Sequence, residues 1–173
     1  MDKRHVVLVG LPGSGKSTVG RLAAVMLGAG WVDLDILIED GAGKSIARIF
    51  AEDGEPAFRA LETELGDGVL AGEPVVFSPG GGFISDPERR RLVLERGLAI
   101  YLETSPAVAA SRVGDAKHRP LLEGRDPAER MAELLRQRQA GYLEAHEKVT
   151  TDASKPRDVA RLVAELARAK GGW

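Results

Sequence analysis

Residues 10–18 read Gly-Leu-Pro-Gly-Ser-Gly-Lys-Ser-Thr. This stretch satisfies the pattern G-x-x-x-x-G-K-S/T through Gly10, Gly15, Lys16 and Ser17. Glycines let backbone N–H groups turn toward phosphate oxygens with no Cβ in the way. The helix that opens after such a loop directs its positive end at the same anion. Lys16 then reaches the β and γ oxygens, and the Ser17 hydroxyl is suited to ligate Mg²⁺. From average composition, a chance match in a chain of this size has a frequency on the order of 1%. The flanks narrow it further. His5 to Val9 is an apolar run that reads as a buried strand. Val19, Leu22, Ala23, Met26 and Leu27 recur at helical spacing, and Gly28 ends that helix. Gly13, Ser14, Gly15, Lys16, Ser17 and Thr18 are the expected ATP contacts.

Working outward, strand and helix signals alternate. Trp31 to Leu34, Val75 to Ser78, Leu98 to Leu102 and Lys148 to Thr151 read as further strands. The stretch from Ile36 to Ala71 carries helical signals broken at Gly41, Gly43 and Gly54. Pro56 starts a helix with the stripe Phe58, Leu61, Leu65 and Val69. Helices are expected after Asp86-Pro87, from Pro106 through Arg112, from about Pro127 to Ala145, and from Pro156. In the last of these, Val159, Leu162, Val163 and Leu166 are expected to face inward. Alternation of this kind implies right-handed crossovers and a three-layer α/β/α sandwich around a parallel sheet of about five strands. Residues 113–125 are polar and aperiodic, as a mobile lid would be. One domain is expected over 1–173, with no linker or internal repeat.

Composition excludes several classes. Net charge is −2, so the basic excess of a nucleic-acid binder is missing. There is no cysteine, which rules out disulfides and thiolate zinc sites. No apolar run approaches the length of a membrane span. The expectation is a soluble, cytoplasmic protein, monomeric, with neither membrane nor nucleic acid as partner. No Asn-Lys-x-Asp run is present to read a guanine base.

Three further features suggest an acceptor side. Asp33 and Asp35 alternate in Val-Asp-Leu-Asp, and residues two apart in a strand share a face. Both carboxylates are then expected together at the carboxyl end of a strand, where open α/β sheets bind ligands. One could hold a Mg²⁺-bound water while the other accepts or orients a substrate hydroxyl; a helix cap plus a solvated acid would explain the pair as well. Arg138 falls on the stripe Met131, Leu134, Leu135, Arg138 and Tyr142, so it faces inward and needs an anionic partner. A ligand carboxylate gripped bidentately would serve, and so would an internal acid. Arg59 allows the same two readings, with Glu62 one turn on to orient it. Gly80, Gly81 and Gly82 follow a strand directly and allow a ligand close to the backbone, or form a flexible turn.

In order along the chain, the phosphate loop, Asp33-x-Asp35, Phe58-Arg59-x-x-Glu62, Gly80-Gly81-Gly82, Arg119-Pro120-Leu121-Leu122 and Arg138 with Tyr142 resemble the shikimate kinase family. The resemblance implies a nucleoside-monophosphate-kinase-like fold and ATP-dependent phosphorylation of the 3-hydroxyl of shikimate, in the chorismate route to aromatic amino acids. It implies ATP and Mg²⁺ as cofactors. Asp35 would bind the ring hydroxyls beside the reacting one. Arg59 and Arg138 would clamp the carboxylate, with Gly80, Gly81 and Gly82 lining the pocket between about 33 and 62 and beyond. Arg119 would swing in on the lid as a catalytic group beside Lys16 and Asp35. Arg112 and Pro156 would flank adenine, and Asp33 would support Mg²⁺ through water. The nearest rival is another small-metabolite kinase, such as a gluconate kinase. Two positions depart from the family pattern: Pro79 before the glycines, and Gly141 between Arg138 and Tyr142.

Overall fold

A computed structural model of the chain describes residues 2–113 and 126–173. Five parallel strands form the sheet: β1 (His5–Val9), β2 (Trp31–Asp33), β3 (Val76–Ser78), β4 (Gly97–Glu103) and β5 (Glu147–Thr150), in the order β2-β3-β1-β4-β5. Register is fixed by pairs such as Val6 with Val76 and Val6 with Leu98. β1, at the centre, is buried along its whole length. Alternate residues go to opposite faces, so both sides of the strand must be apolar. Val6, Leu8, Leu98, Ile100 and Leu102 join one core cluster; Val7, Val9, Phe77, Ala99 and Tyr101 join the other.

On the first face lie α1 (Lys16–Leu27) and α8 (Pro156–Lys170), packed against each other. Around the second core are α2 (Leu34–Ala42), α3 (Ile46–Asp53), α4 (Glu55–Ala71), α5 (Pro87–Arg96), α6 (Pro106–Val113) and α7 (Pro127–Tyr142). Their starts follow local chemistry. Asp33, Ser45, Asp86 and Asp126 each accept backbone N–H bonds as N-caps of α2, α3, α5 and α7, a contribution of about 1 kcal/mol apiece. Pro56, Pro87, Pro127 and Pro156 occupy first-turn positions, where a missing N–H costs nothing. Among the described residues no helix is long and apolar enough to cross a membrane.

The structure corrects several expectations. β2 ends at Asp33, and Leu34 already opens α2. Asp33 and Asp35 are therefore not alternate residues of one strand: Asp33 caps the helix and Asp35 stands in its first turn. Gly41 stays inside α2, and the breaks fall at Gly43 and Gly54, both at positive φ. α7 ends at Tyr142 rather than Ala145: after it, Glu144 N–H bonds to Gly141 O and Ala145 N–H to Tyr142 O, three residues back, so the α-helical pattern is not continued. Leu162 is 47% exposed; the buried face of α8 is Val159, Ala160, Val163, Ala164 and Ala167, a narrower stripe of smaller residues. A short 3₁₀ turn at Phe83–Ser85, following the three glycines, has no counterpart in the sequence reading. The expected lid lies almost wholly outside the described residues.

His5 ties the sheet to solution pH. It is 3% exposed, and its Nδ1 accepts the Val75 N–H at 3.2 Å, a bond that only an unprotonated nitrogen makes. Burial lowers its pKa below the usual 6.5, partly offset by backbone hydrogen bonds around Leu70 and Gly72. The unfolded chain then binds more protons than the folded one just below pH 6.5. Stability is accordingly full above that pH and falls as pH drops toward the lowered folded value, by up to about 1.4 kcal/mol per pH unit. The fall in melting temperature between pH 7.5 and 5.5 is expected to be smaller in His5→Asn than in the parent. An equal fall in both would show that His5 does not carry it.

Candidate functional site

The loop between β1 and α1 lies where the strand order reverses, the point at which open α/β sheets leave a crevice. Gly13 and Gly15 take φ of 80° and 95°, values that L side chains rarely adopt. A Cβ on Gly13 would stand 2.4 Å from the Ala109 carbonyl oxygen, so the loop also needs glycine there for space. α1 has no acidic residue in its first turn, which leaves its positive end available to an anion. Lys16 Nζ donates to Gly10 O and Leu11 O, each at 2.8 Å, folding its charge over the loop.

A cavity of about 700 Å³ opens above this loop. Gly13, Ser14, Gly15, Lys16, Ser17, Thr18, Asp33, Asp35, Gly80, Gly81, Arg112 and Pro156 all line it. Its floor is tied together. The Ser17 hydroxyl donates to the Asp33 carboxylate, whose other oxygen caps α2 through Asp35 N and Ile36 N. Thus the two carboxylates do share one cavity, but a strand-to-helix turn brings them there. Ser78, which the sequence reading passed over, donates to Lys16 O at 2.9 Å and accepts from Trp31 Nε1 at 3.3 Å, locking the start of α1 to β3. The signal that could have found it is its position as the last strand residue before Pro79.

At the far end, the Arg112 guanidinium donates to Thr151 Oγ1 at 3.0 Å and Thr151 O at 2.7 Å, and Thr151 is hydrogen-bonded to buried Thr104 at 2.6 Å. Arg112 and Pro156 therefore share the wall formed by 151–156. Threonines at 104 and 151 carry no motif, so nothing in the sequence singled them out.

Arg59, Gly82 and Arg138 are not on this cavity. They line a second one, of about 680 Å³, with Glu55, Glu62 and Arg130 among its other walls. Gly80, Gly81 and Gly82 run as a strip between the two. None of the three has a left-handed φ; glycine is required by close approach. A Cβ would stand 2.9 Å from Glu62 Oε2 at position 80, 3.1 Å from Arg138 Nη1 at 81, and 3.1 Å from Arg138 Nη2 and 3.4 Å from Arg59 Nη1 at 82. The strip thus runs from the carboxylates of Asp35 and Glu62, at Gly80, to the two guanidinium groups, at Gly81 and Gly82. Arg59 donates to Glu62 Oε1 at 2.9 Å and Glu55 Oε1 at 3.2 Å. Burial raises the Glu62 pKa, against the opposing pull of Arg59, and Asp35 pushes it the same way as burial. Arg119 lies outside the described residues.

A phosphate loop at the switch point, an acid facing it, and paired arginines behind a glycine strip define a P-loop phosphotransferase acting on a small anionic molecule. The family model described as shikimate kinase matches residues 12–168. A shikimate kinase of Rhodococcus jostii is 45% identical over 163 residues, covering 93% of this chain and 96% of the relative. One of Thermobifida fusca is 45% identical over 166 residues, covering 95% of each. Among solved structures, a shikimate kinase of Acinetobacter baumannii in complex with shikimate superposes with a TM-score of 0.92 at 34% identity, covering 96% of this chain and 94% of that one. The chain belongs to the shikimate kinase family. A gluconokinase of Sinorhizobium meliloti, with a TM-score of 0.63 at 21% identity, shares the fold alone.

Proposed function

We propose that this chain transfers the γ-phosphoryl group of ATP to the 3-hydroxyl of shikimate, giving shikimate 3-phosphate and ADP. The observation that carries it is the shared cavity: Lys16 and Asp35 line one space, and the two arginines stand just behind its glycine wall. Phosphoryl transfer asks mainly for positioning and charge neutralisation, which this arrangement supplies without a covalent nucleophile.

In this reading the triphosphate lies on the loop N–H groups from Gly13 to Thr18, with Lys16 at its outer phosphates, and adenine lies between Arg112 and Pro156. The Asp35 carboxylate accepts the hydrogen bond of the reacting hydroxyl and is placed to take its proton. Arg59 and Arg138 grip the carboxylate of shikimate across the strip, and Gly81 offers a backbone donor. The donor set also suits Mg²⁺. Ser17 Oγ and Asp33 already meet beside Lys16, and among the described residues no group of three or more His, Asp or Glu could hold a metal alone, so the ion would be shared with the phosphates. Ser17 would ligate it, Asp33 would reach it through water, and when bound it neutralises phosphate charge. Arg119, which lies outside the described residues, would neutralise charge on the transferring phosphoryl group, and the chain acts as a single domain, a monomer in the cytoplasm.

A coupled ADP-release assay with MgATP and shikimate, quinate, gluconate or no acceptor tests the substrate. Shikimate-dependent ADP formation is expected; ADP formation dependent on gluconate alone would overturn the assignment. Arg138→Ala is expected to raise the KM for shikimate about 10- to 100-fold, the loss of a bidentate charge-assisted pair, with the KM for ATP changed by less than about threefold. Equal losses for both substrates would mark Arg138 as a structural ion-pair partner.

A further inference from the structure

Tyr142 closes α7 one turn beyond Arg138 and is 1% exposed. Its ring stacks on Tyr101, with centroids 5.2 Å apart and planes 23° from parallel. Its hydroxyl does not end in the apolar core. It crosses 61 residues of sequence to donate to the Gly81 carbonyl at 2.7 Å. The Arg138 guanidinium, one turn back on the same helix, interacts electrostatically with the same hydroxyl. A single phenol thus holds the middle of the glycine strip and feels the charge of the arginine beside it.

Backbone without a side chain is otherwise held weakly. Gly81 has no Cβ to pack, and its peptide can rotate at little steric cost. Its neighbours are close on the other side as well: a Cβ there would lie 3.2 Å from Gly10 O and 3.2 Å from Pro12 Cδ, at the root of the phosphate loop. A rotation of the Gly81 carbonyl would therefore displace the strip that separates the nucleotide from the two arginines. A buried hydroxyl donating to the Gly81 carbonyl resists such a rotation, because turning the carbonyl away would leave a buried donor unpaired.

We infer that Tyr142 is a positioning residue for substrate binding, fixing the Gly81 peptide and the Arg138 guanidinium in one register for the acceptor's carboxylate. It does not touch the substrate. The inference rests on the shikimate reading above. Neither Tyr142 nor Arg138 lines the nucleotide cavity, so the effect is expected chiefly on the acceptor side.

The test is Tyr142→Phe, which keeps the stacked ring and removes one oxygen. The KM for shikimate is expected to rise about 10-fold, with the KM for ATP within about twofold of the parent and the melting temperature measured alongside. Tyr101→Phe, which takes a hydroxyl from the other ring of the stack, should leave the ratio of the two KM values unchanged. A Tyr142→Phe protein with an unchanged shikimate KM, or with equal rises in both KM values, overturns the proposal. If the variant is too unstable to assay, Tyr142→Phe and Arg138→Ala are combined in the presence of a stabilising osmolyte and shikimate affinity is read by calorimetry. Coupling between the two changes supports the inference, and strict additivity overturns it. Failure of the underlying reading looks different: the unmodified protein would then give no shikimate-dependent ADP at all.

Discussion

Asp35→Asn is expected to lower shikimate-dependent ADP formation by about 10²- to 10⁴-fold, the range for loss of a positioned acid–base group. ATP affinity should stay within about threefold. The side chain keeps its size and one oxygen acceptor, so the first turn of α2 and its Asp33 cap are expected to survive, because that cap accepts from the backbone of residue 35 and not from its side chain. What is lost is the negative charge next to the hydroxyl that must give up a proton. Turnover near that of the parent would sink the assignment of Asp35 to the acceptor side. A drop in ATP affinity to match would instead place its role with the nucleotide.

Lys16→Ala is expected to cut kcat by about 10²- to 10³-fold, comparable to removing one preorganised donor from a charged transition state. Here the fold itself is partly engaged. Lys16 Nζ holds the Gly10 and Leu11 carbonyls, and Gly10 O lies near the Gly81 backbone. The variant should therefore also lose some ATP affinity, and some melting temperature, neither of which Asp35→Asn should lose. Single-turnover kinetics at saturating ATP separate the two effects. A Lys16→Ala protein with a normal single-turnover rate would show that the lysine only binds.

Sequence legibility varied with the range of the forces involved. The loop at 10–18 was plain because its chemistry is local: glycine φ values, a following helix and a lysine all lie within nine residues. The strands were plain because a parallel sheet covered on both faces demands continuous apolar runs, as in Val6 to Val9. Periodicity misled at two kinds of place. At Asp33 and Asp35, a period of two and a strand-to-helix turn give the same four letters, and the capping bonds settle which one forms. At Leu162, helical spacing marks a broad apolar stripe, but the face of α8 that packs beside α1 is Val159, Ala160, Val163, Ala164 and Ala167, and Leu162 stands outside it.

The phosphate loop, the α/β alternation and the family follow from the sequence alone, which also singles out an acid and two arginines as candidates, because each depends on neighbours within a turn or two or on an ordered set of motifs. How they meet depends on the folded chain. It placed Asp35 over the loop from a helix rather than a strand, set Ser78 under Lys16, and held Arg112 on Thr151. It also put Arg59 and Arg138 on the far side of three glycines tied down by the Tyr142 hydroxyl. Those contacts join residues 39 to 62 positions apart. Chain crossovers bring them together, and no local pattern of residues encodes such a distance.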